Sequence, residues 1–280
     1  MESGKKATSS GIAYSCYHSQ NRDGEHFIPQ HTLSFQISGS LILNNGSNSY
    51  ASSEGSFRLI RKNQLLRFIK QPPENGDFRS LSIYINQDMP REFSTEYMLK
   101  PEGPSKETAA VIELPFGKMI KNYVNSLLDY QENGRLDNRD LMRLKIKEGI
   151  MLLLHESPEL KTILFDFSEP HKIDLEAFMN QNYHFNVKLD RFAYLTGRSL
   201  ATFKRDFARI FGDSPRHWLQ HKRLHQAHSL MLRTGRTASD VYLDLGFEDL
   251  THFSHAFKKE FGFSPSKIFQ HNDVQSSQAN

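Results

Sequence analysis

The chain has 280 residues, 38% of them hydrophobic and 24% charged, with a net charge of +3, which is room for two domains with separate cores. Its single cysteine, Cys16, excludes an intrachain disulfide, a cysteine-rich zinc site and a redox pair. The opening MESGKKATSSG lacks the apolar core of a signal peptide and no apolar run approaches a membrane span, so a cytoplasmic protein without a membrane partner is expected.

After a small, polar start that is expected to be mobile (residues 1–11), the texture to about residue 93 is β. Leu33, Phe35 and Ile37 alternate with polar residues, and Leu41-Ile42-Leu43 runs into Asn44-Asn45-Gly46, a hairpin signal. Phe57, Leu59, Leu65, Leu66, Phe68 and Ile69 supply further strands, and Leu81, Ile83 and Ile85 alternate again after the turn cluster at 72–77. Short strands at this spacing predict a small barrel or sandwich over residues 1–100, read as a sensor domain. His26 and His31 form no cluster with a downstream glutamate and histidine, so they read as surface or packing residues, and no metal or cofactor is expected.

Residues 100–108 read as a linker, and residues 101–160 as that linker plus a helical hairpin. Pro115 fits the first turn of a helix whose stripe is Phe116, Met119, Ile120, Tyr123, Leu127 and Tyr130. Asp137 caps a second helix from about 138 to 154. The stripe either packs on the β-domain or pairs with a second subunit in a homodimer, through Met119, Tyr123 and Leu127. Residues 157–172 form a boundary, and a helix over 175–182 opens the next domain.

That domain, residues 172–270, contains an internal repeat. Leu200, Phe203, Phe207, Phe211, Gly212, Ser214 and Pro215 recur fifty residues on as Leu250, Phe253, Phe257, Phe261, Gly262, Ser264 and Pro265. The spacing puts the apolar residues on one stripe of a helix, with a glycine where a left-handed cap follows. All of these Phe and Leu positions are expected in the core. A shorter helix precedes each copy and ends at Gly197 or Gly246, giving two helix-turn-helix units at about 188–211 and 238–261. Between them, residues 216–233 lack Gly and Pro and predict a rigid helix roughly 27 Å long. Such a spacer could hold two reading helices in successive major grooves, which lie about 34 Å apart. Between residues 170 and 270, Lys and Arg number 15 against 10 Asp and Glu, whereas the remainder holds 20 against 22. The repeated half thus carries the basic balance and most of the histidines, and suits a polyanionic partner. The polar tail from 272 is expected to fray.

These residues resemble a known family. GRSLATFKRDF (197–207), GDSP (212–215), RLHQA (223–227), Asp240-Val241 and LGFEDLTHFSHAFKKEFG (245–262), closing with SPS (264–266), are similar to the C-terminal domain of AraC/XylS-type bacterial transcription regulators. The match covers about a hundred residues. Tyr242 departs from the family's usual alanine, and His255 stands where arginine is common. The N-terminal half is similar only in texture to the family's cupin-like sensor domains followed by dimerising helices. The expected fold class is therefore α+β, with a cupin-like barrel or sandwich and a helical hairpin ahead of an all-α double helix-turn-helix domain.

The resemblance implies a sequence-specific DNA-binding regulator, an activator by expectation, with double-stranded DNA bearing a bipartite operator and RNA polymerase as partners. A small-molecule or protein effector would act on the N-terminal half. Ala201, Thr202, Lys204 and Arg205 in the first unit, and Thr251, Ser254 and His255 in the second, face base edges in this reading. Arg198, Ser199, Lys258 and Lys259 face phosphates, with Ser199 and Asp249 as helix caps. Two alternatives stand beside it: a cupin-type enzyme carrying a DNA-binding appendage, and a regulator controlled by a protein antagonist. Against an enzyme are the absent Gly-rich phosphate loop and nucleophile motif.

Overall fold

The computed structural model describes residues 11–22, 26–99 and 107–270, and the chain divides into two compact units, Met1–Ser168 and Glu169–Asn280. The expectations for residues 1–10, for most of the 100–108 linker and for the tail beyond 270 lie outside the described residues.

The first unit contains β1 (Ile12–Tyr17), β2 (Phe27–Ile28), β3 (His31–Ser38), β4 (Ser40–Asn44), β5 (Ser49–Ser52), β6 (Phe57–Ile60), β7 (Gln64–Leu65), β8 (Arg67–Gln71) and β9 (Phe78–Ile85). Helix α1 (Asp88–Glu96), strand β10 (Val111–Glu113), α2 (Lys118–Glu132), α3 (Arg139–Glu156) and a short α4 (Lys161–Leu164) complete it. The main sheet has the order β1-β9-β3-β6-β10 and is antiparallel throughout. Its register sets Ile12, Ile83, Leu33, Leu59 and Ile112 side by side across the five strands.

Successive residues of a strand point to opposite faces, and β6 shows the consequence. Phe57 and Leu59 enter a core with Ile120, Val124 and Leu127 of α2 and Met142, Ile146 and Ile150 of α3, whereas Ile60 joins Leu41, Leu43, Leu66 and Phe78. The cupin-like barrel or sandwich is therefore corrected. The described strands form three open sheets: the five-stranded one, β5-β4-β8 and the pair β2-β7. β1 and β10 lie at opposite edges of the main sheet and do not pair with each other. The helical hairpin covers the apolar face that a barrel would have closed upon itself.

Other elements also depart from expectation. The continuous run of strands ends at Ile85, with β10 returning only at Val111, and the unexpected α1 carries Pro90 near its start, where a missing N–H costs nothing. The α3 cap is Asn138, whose side chain accepts from the Leu141 N–H at 3.0 Å, in place of Asp137. Helix α2 begins at Lys118 after an extended Gly117, leaving Pro115 ahead of its first turn. Of the stripe residues for which the sequence left packing on the β-domain and pairing with a second subunit both open, Tyr123 and Leu127 are 2% and 0% exposed within the core, and Met119 is exposed, at 40%.

The second unit is all-helical: α5 (Leu175–Asn182), α6 (Leu189–Leu195), α7 (Leu200–Phe211), α8 (Pro215–Thr234), α9 (Ala238–Val241) and α10 (Leu250–Phe261). Each copy of the repeat becomes a twelve-residue helix ending at a left-handed glycine, Gly212 (φ 67°) or Gly262 (φ 82°). Between them, α8 opens with the Ser214 cap and Pro215, and closes at Gly235 (φ 70°).

Candidate nucleic-acid interface

Each unit of the repeat holds its longer helix by one buried face. Phe203 and Phe207 of α7, and Phe253 and Phe257 of α10, are wholly buried. Phe207 and Phe211 pack against Trp218 at 5.5 and 4.6 Å between ring centroids, while Phe257 and Phe261 meet Phe263 at 5.9 and 6.3 Å. Leu200, expected in the core, is 39% exposed, because it occupies the first turn and projects beyond the packed stripe.

The turns are built alike. Gly197 (φ 63°) lies so close to His171 that an added Cβ would fall 2.3 Å from the His171 carbonyl carbon. Gly246 (φ 82°) would set the same atom 2.8 Å from the His184 carbonyl oxygen. Beside each turn an arginine donates to backbone carbonyls. Arg198 gives Nη1 to Ile173 (3.0 Å) and Thr196 (2.7 Å), and Arg223 gives Nε to Tyr183 (2.7 Å), Nη1 to Gly246 (3.0 Å) and Nη2 to Phe185 (2.9 Å). Burial lowers the Arg223 guanidinium to about 10. The second unit differs in its first helix: α9 has only four residues and passes through Tyr242 into a 3-10 turn, Leu243–Leu245, whereas α6 runs seven.

The longer helices start at side-chain caps. Ser199 Oγ accepts from the Thr202 N–H at 3.2 Å, and Asp249 Oδ1 from the His252 N–H at 2.6 Å. On the free face of α7, Ala201, Lys204 and Arg205 are exposed and Thr202 is half-buried; Arg205 keeps 77% of its side chain in solvent. On α10, Thr251, His255, Lys258 and Lys259 are exposed and Ser254 is half-buried. Each helix therefore groups its named side chains on one accessible surface. Arg198 is the exception. Its side chain is 6% exposed, and Nε donates to Asp206 Oδ2 at 3.1 Å, so it organises the first unit from within. That hydrogen bond, with the cations of Lys172 and Arg205, holds the Asp206 carboxyl below its ordinary range.

The sequence alone gives Arg223 no role. A basic residue within a helix carries no local sign of inward burial, and its carbonyl partners lie 23 to 40 residues away. No helix among the described residues is long and apolar enough to cross a membrane.

Residues 192–271 match a family model described as a helix-turn-helix domain, and residues 31–164 one described as the ExsA N-terminal regulatory domain. The HTH-type transcriptional regulator ExsA of Pseudomonas aeruginosa is 33% identical over 132 residues, covering 46% of this chain and 48% of that one. The virulence regulon transcriptional activator VirF of Yersinia enterocolitica is 32% identical over 130 residues, covering 45% and 48%. The chain thus spans about half the length of the curated relatives it matches. Among solved structures, ToxT from Vibrio cholerae is 14% identical with a TM-score of 0.41, covering 92% of this chain and 98% of that one. A regulatory-domain match ahead of a helix-turn-helix match, with transcription regulators as relatives, makes this chain similar in both segments to the AraC/XylS-type transcription regulators.

Proposed function

We propose that the chain is a sequence-specific activator of transcription, in which α7 and α10 read the two halves of a bipartite duplex site. The observation that carries this reading is the pair of matched helices, each anchored by phenylalanines on one side and presenting polar, basic side chains on the other. Arg205 is the principal base reader, because a guanidinium pairs with guanine O6 and N7 in the major groove. Ala201, Thr202 and Lys204 complete the first surface, and Thr251, Ser254 and His255 form the second. Lys258, Lys259 and the N-terminal turn at Ser199 meet phosphates.

The first unit tunes this binding in response to a small ligand or a partner protein, and RNA polymerase is the partner on which an activator acts. Any pairing of two copies through the hairpin falls to its exposed residues, Met119, Leu144 and Met151, since Tyr123 and Leu127 are buried. The test is selection from a randomised duplex pool by the full chain at physiological salt. Two short motifs one helical turn apart are expected. Arg205→Ala should relax the first motif by about 1–3 kcal/mol of base discrimination and leave the second intact. A folded chain that enriches no sequence would overturn the reading.

A further inference from the structure

No metal is expected from the sequence, yet the second unit brings together three side chains with metal-binding donors from distant parts of the chain. His221 and His225 are four residues apart on α8, so their rings share one face, with centroids 4.0 Å apart. Glu260, in the last turn of α10, reaches the same point. Its Oε1 lies 3.4 Å from His221 Nε2 and 3.2 Å from His225 Nε2, and the three donor atoms all fall within 4.8 Å of one another.

We infer that His221, His225 and Glu260 form a binding site for a divalent transition metal of the zinc class, joining α8 to the second reading helix. Two ligands at a tetrahedral metal with bonds of about 2.0–2.2 Å sit roughly 3.3–3.6 Å apart, close to both observed histidine–carboxylate separations. Two imidazoles and one carboxylate favour zinc, nickel, cobalt or copper over magnesium or calcium, which take oxygen ligands. The position of Glu260 supports the assignment independently. A carboxylate in the last turn of a helix opposes the macrodipole, which favours the cations Lys258 and Lys259 there, and a bound cation offsets that cost. The surroundings also hold the donors in place: the His225 ring meets Phe261 edge-on at 5.0 Å, and the Leu224, Ala227, Phe253 and Phe257 core fixes the two helices below. All three side chains remain partly exposed, at 51%, 49% and 29%, so a metal has access and keeps a water-facing position. Glu260 lies 35 residues beyond His225, and the bound metal therefore staples α10 to α8.

The experiment is zinc titration of the chelator-stripped full chain by calorimetry, with cobalt absorption reporting coordination and thermal melting reporting the staple. One equivalent of zinc is expected to bind and raise the Tm, magnesium is expected to do neither, and cobalt should give the visible bands of a four-coordinate site. His225→Ala and Glu260→Gln should each weaken zinc binding at least tenfold and abolish the rise in Tm, with the fold checked by circular dichroism. His155→Ala, at an exposed histidine of the other unit, should leave both unchanged. Unaltered zinc affinity in Glu260→Gln would show a two-histidine site on one helix and overturn the staple. Unaltered affinity in both variants, or no saturable binding to the native chain, would overturn the site itself. None of these outcomes bears on DNA recognition by α7.

Discussion

Arg198, in the turn before α7, and Arg205, within it, are seven residues apart and chemically identical, yet they have opposite surroundings. Arg198 is 6% exposed and bonded to Asp206 and two carbonyls, whereas Arg205 is 77% exposed with only a 3.7 Å approach to the same carboxylate. Removing Arg198 strands a buried carboxylate and two carbonyls, so Arg198→Ala is expected to lower the Tm by several degrees, as thermal melting will test. Arg205→Ala should leave the Tm within experimental scatter and change only the selected DNA sequence, because an exposed ion pair contributes little to stability. His31 offers a second test. Burial, then the charges of Lys62 and Arg61, hold its imidazole down at about 3 against an ordinary 6.5. The unfolded chain therefore gains a proton near pH 6.5 that the folded chain refuses until much lower pH. This contribution to stability is complete above pH 6.5 and shrinks by up to about 1.4 kcal/mol per unit as pH falls toward 3. Melts between about pH 7.5 and 5 should show a smaller pH slope for His31→Gln than for the native chain, and equal slopes would contradict this assignment.

At the scale of elements, the helix-turn-helix units depend on two different kinds of glycine. Gly212 and Gly262 cap their helices in open space, with no atom within 4 Å of an added Cβ, so alanine there meets only the strain of a positive φ. Gly212→Ala should therefore cost about 1 kcal/mol in urea unfolding. Gly197 and Gly246 have the same backbone hand and also lie against the carbonyl groups of His171 and His184, so alanine must displace backbone. Gly197→Ala is expected to cost at least about twice as much as Gly212→Ala, and equal costs would show that the contact yields easily. The hairpin of the first unit depends on a comparable close approach. Tyr123 lies over Gly149 of α3, where an added Cβ would meet its hydroxyl at 2.6 Å, and donates to the Lys145 carbonyl at 2.8 Å. This contact places the Tyr123 ring inside the first unit.

For the whole molecule, the proposed contacts make DNA affinity a matter of salt. Each phosphate neutralised by a lysine contributes about 0.9 to the slope of log affinity against log salt, so Lys258→Ala and Lys259→Ala should each flatten that slope by nearly one and weaken all sequences alike. Binding titrations over a salt series will separate these residues from Arg205, whose loss should fall mainly on one half-site. Much of the second unit is legible from the chain alone because its determinants are local. Phe203, Phe207 and Phe211 and their copies define helices by spacing, Ser199 and Asp249 start them, and Gly212 and Gly262 end them. Tertiary structure alone decided that the main sheet stays open, since the cover over Leu33, Leu59 and Ile83 comes from α2 and α3, whose stripe does not name its partner. It likewise turned Arg198 and Arg223 inward and brought Glu260 to His221 and His225. Periodicity and capping act over a few residues and leave their mark in the sequence, whereas these pairings join side chains tens of residues apart and exist only once the chain has packed.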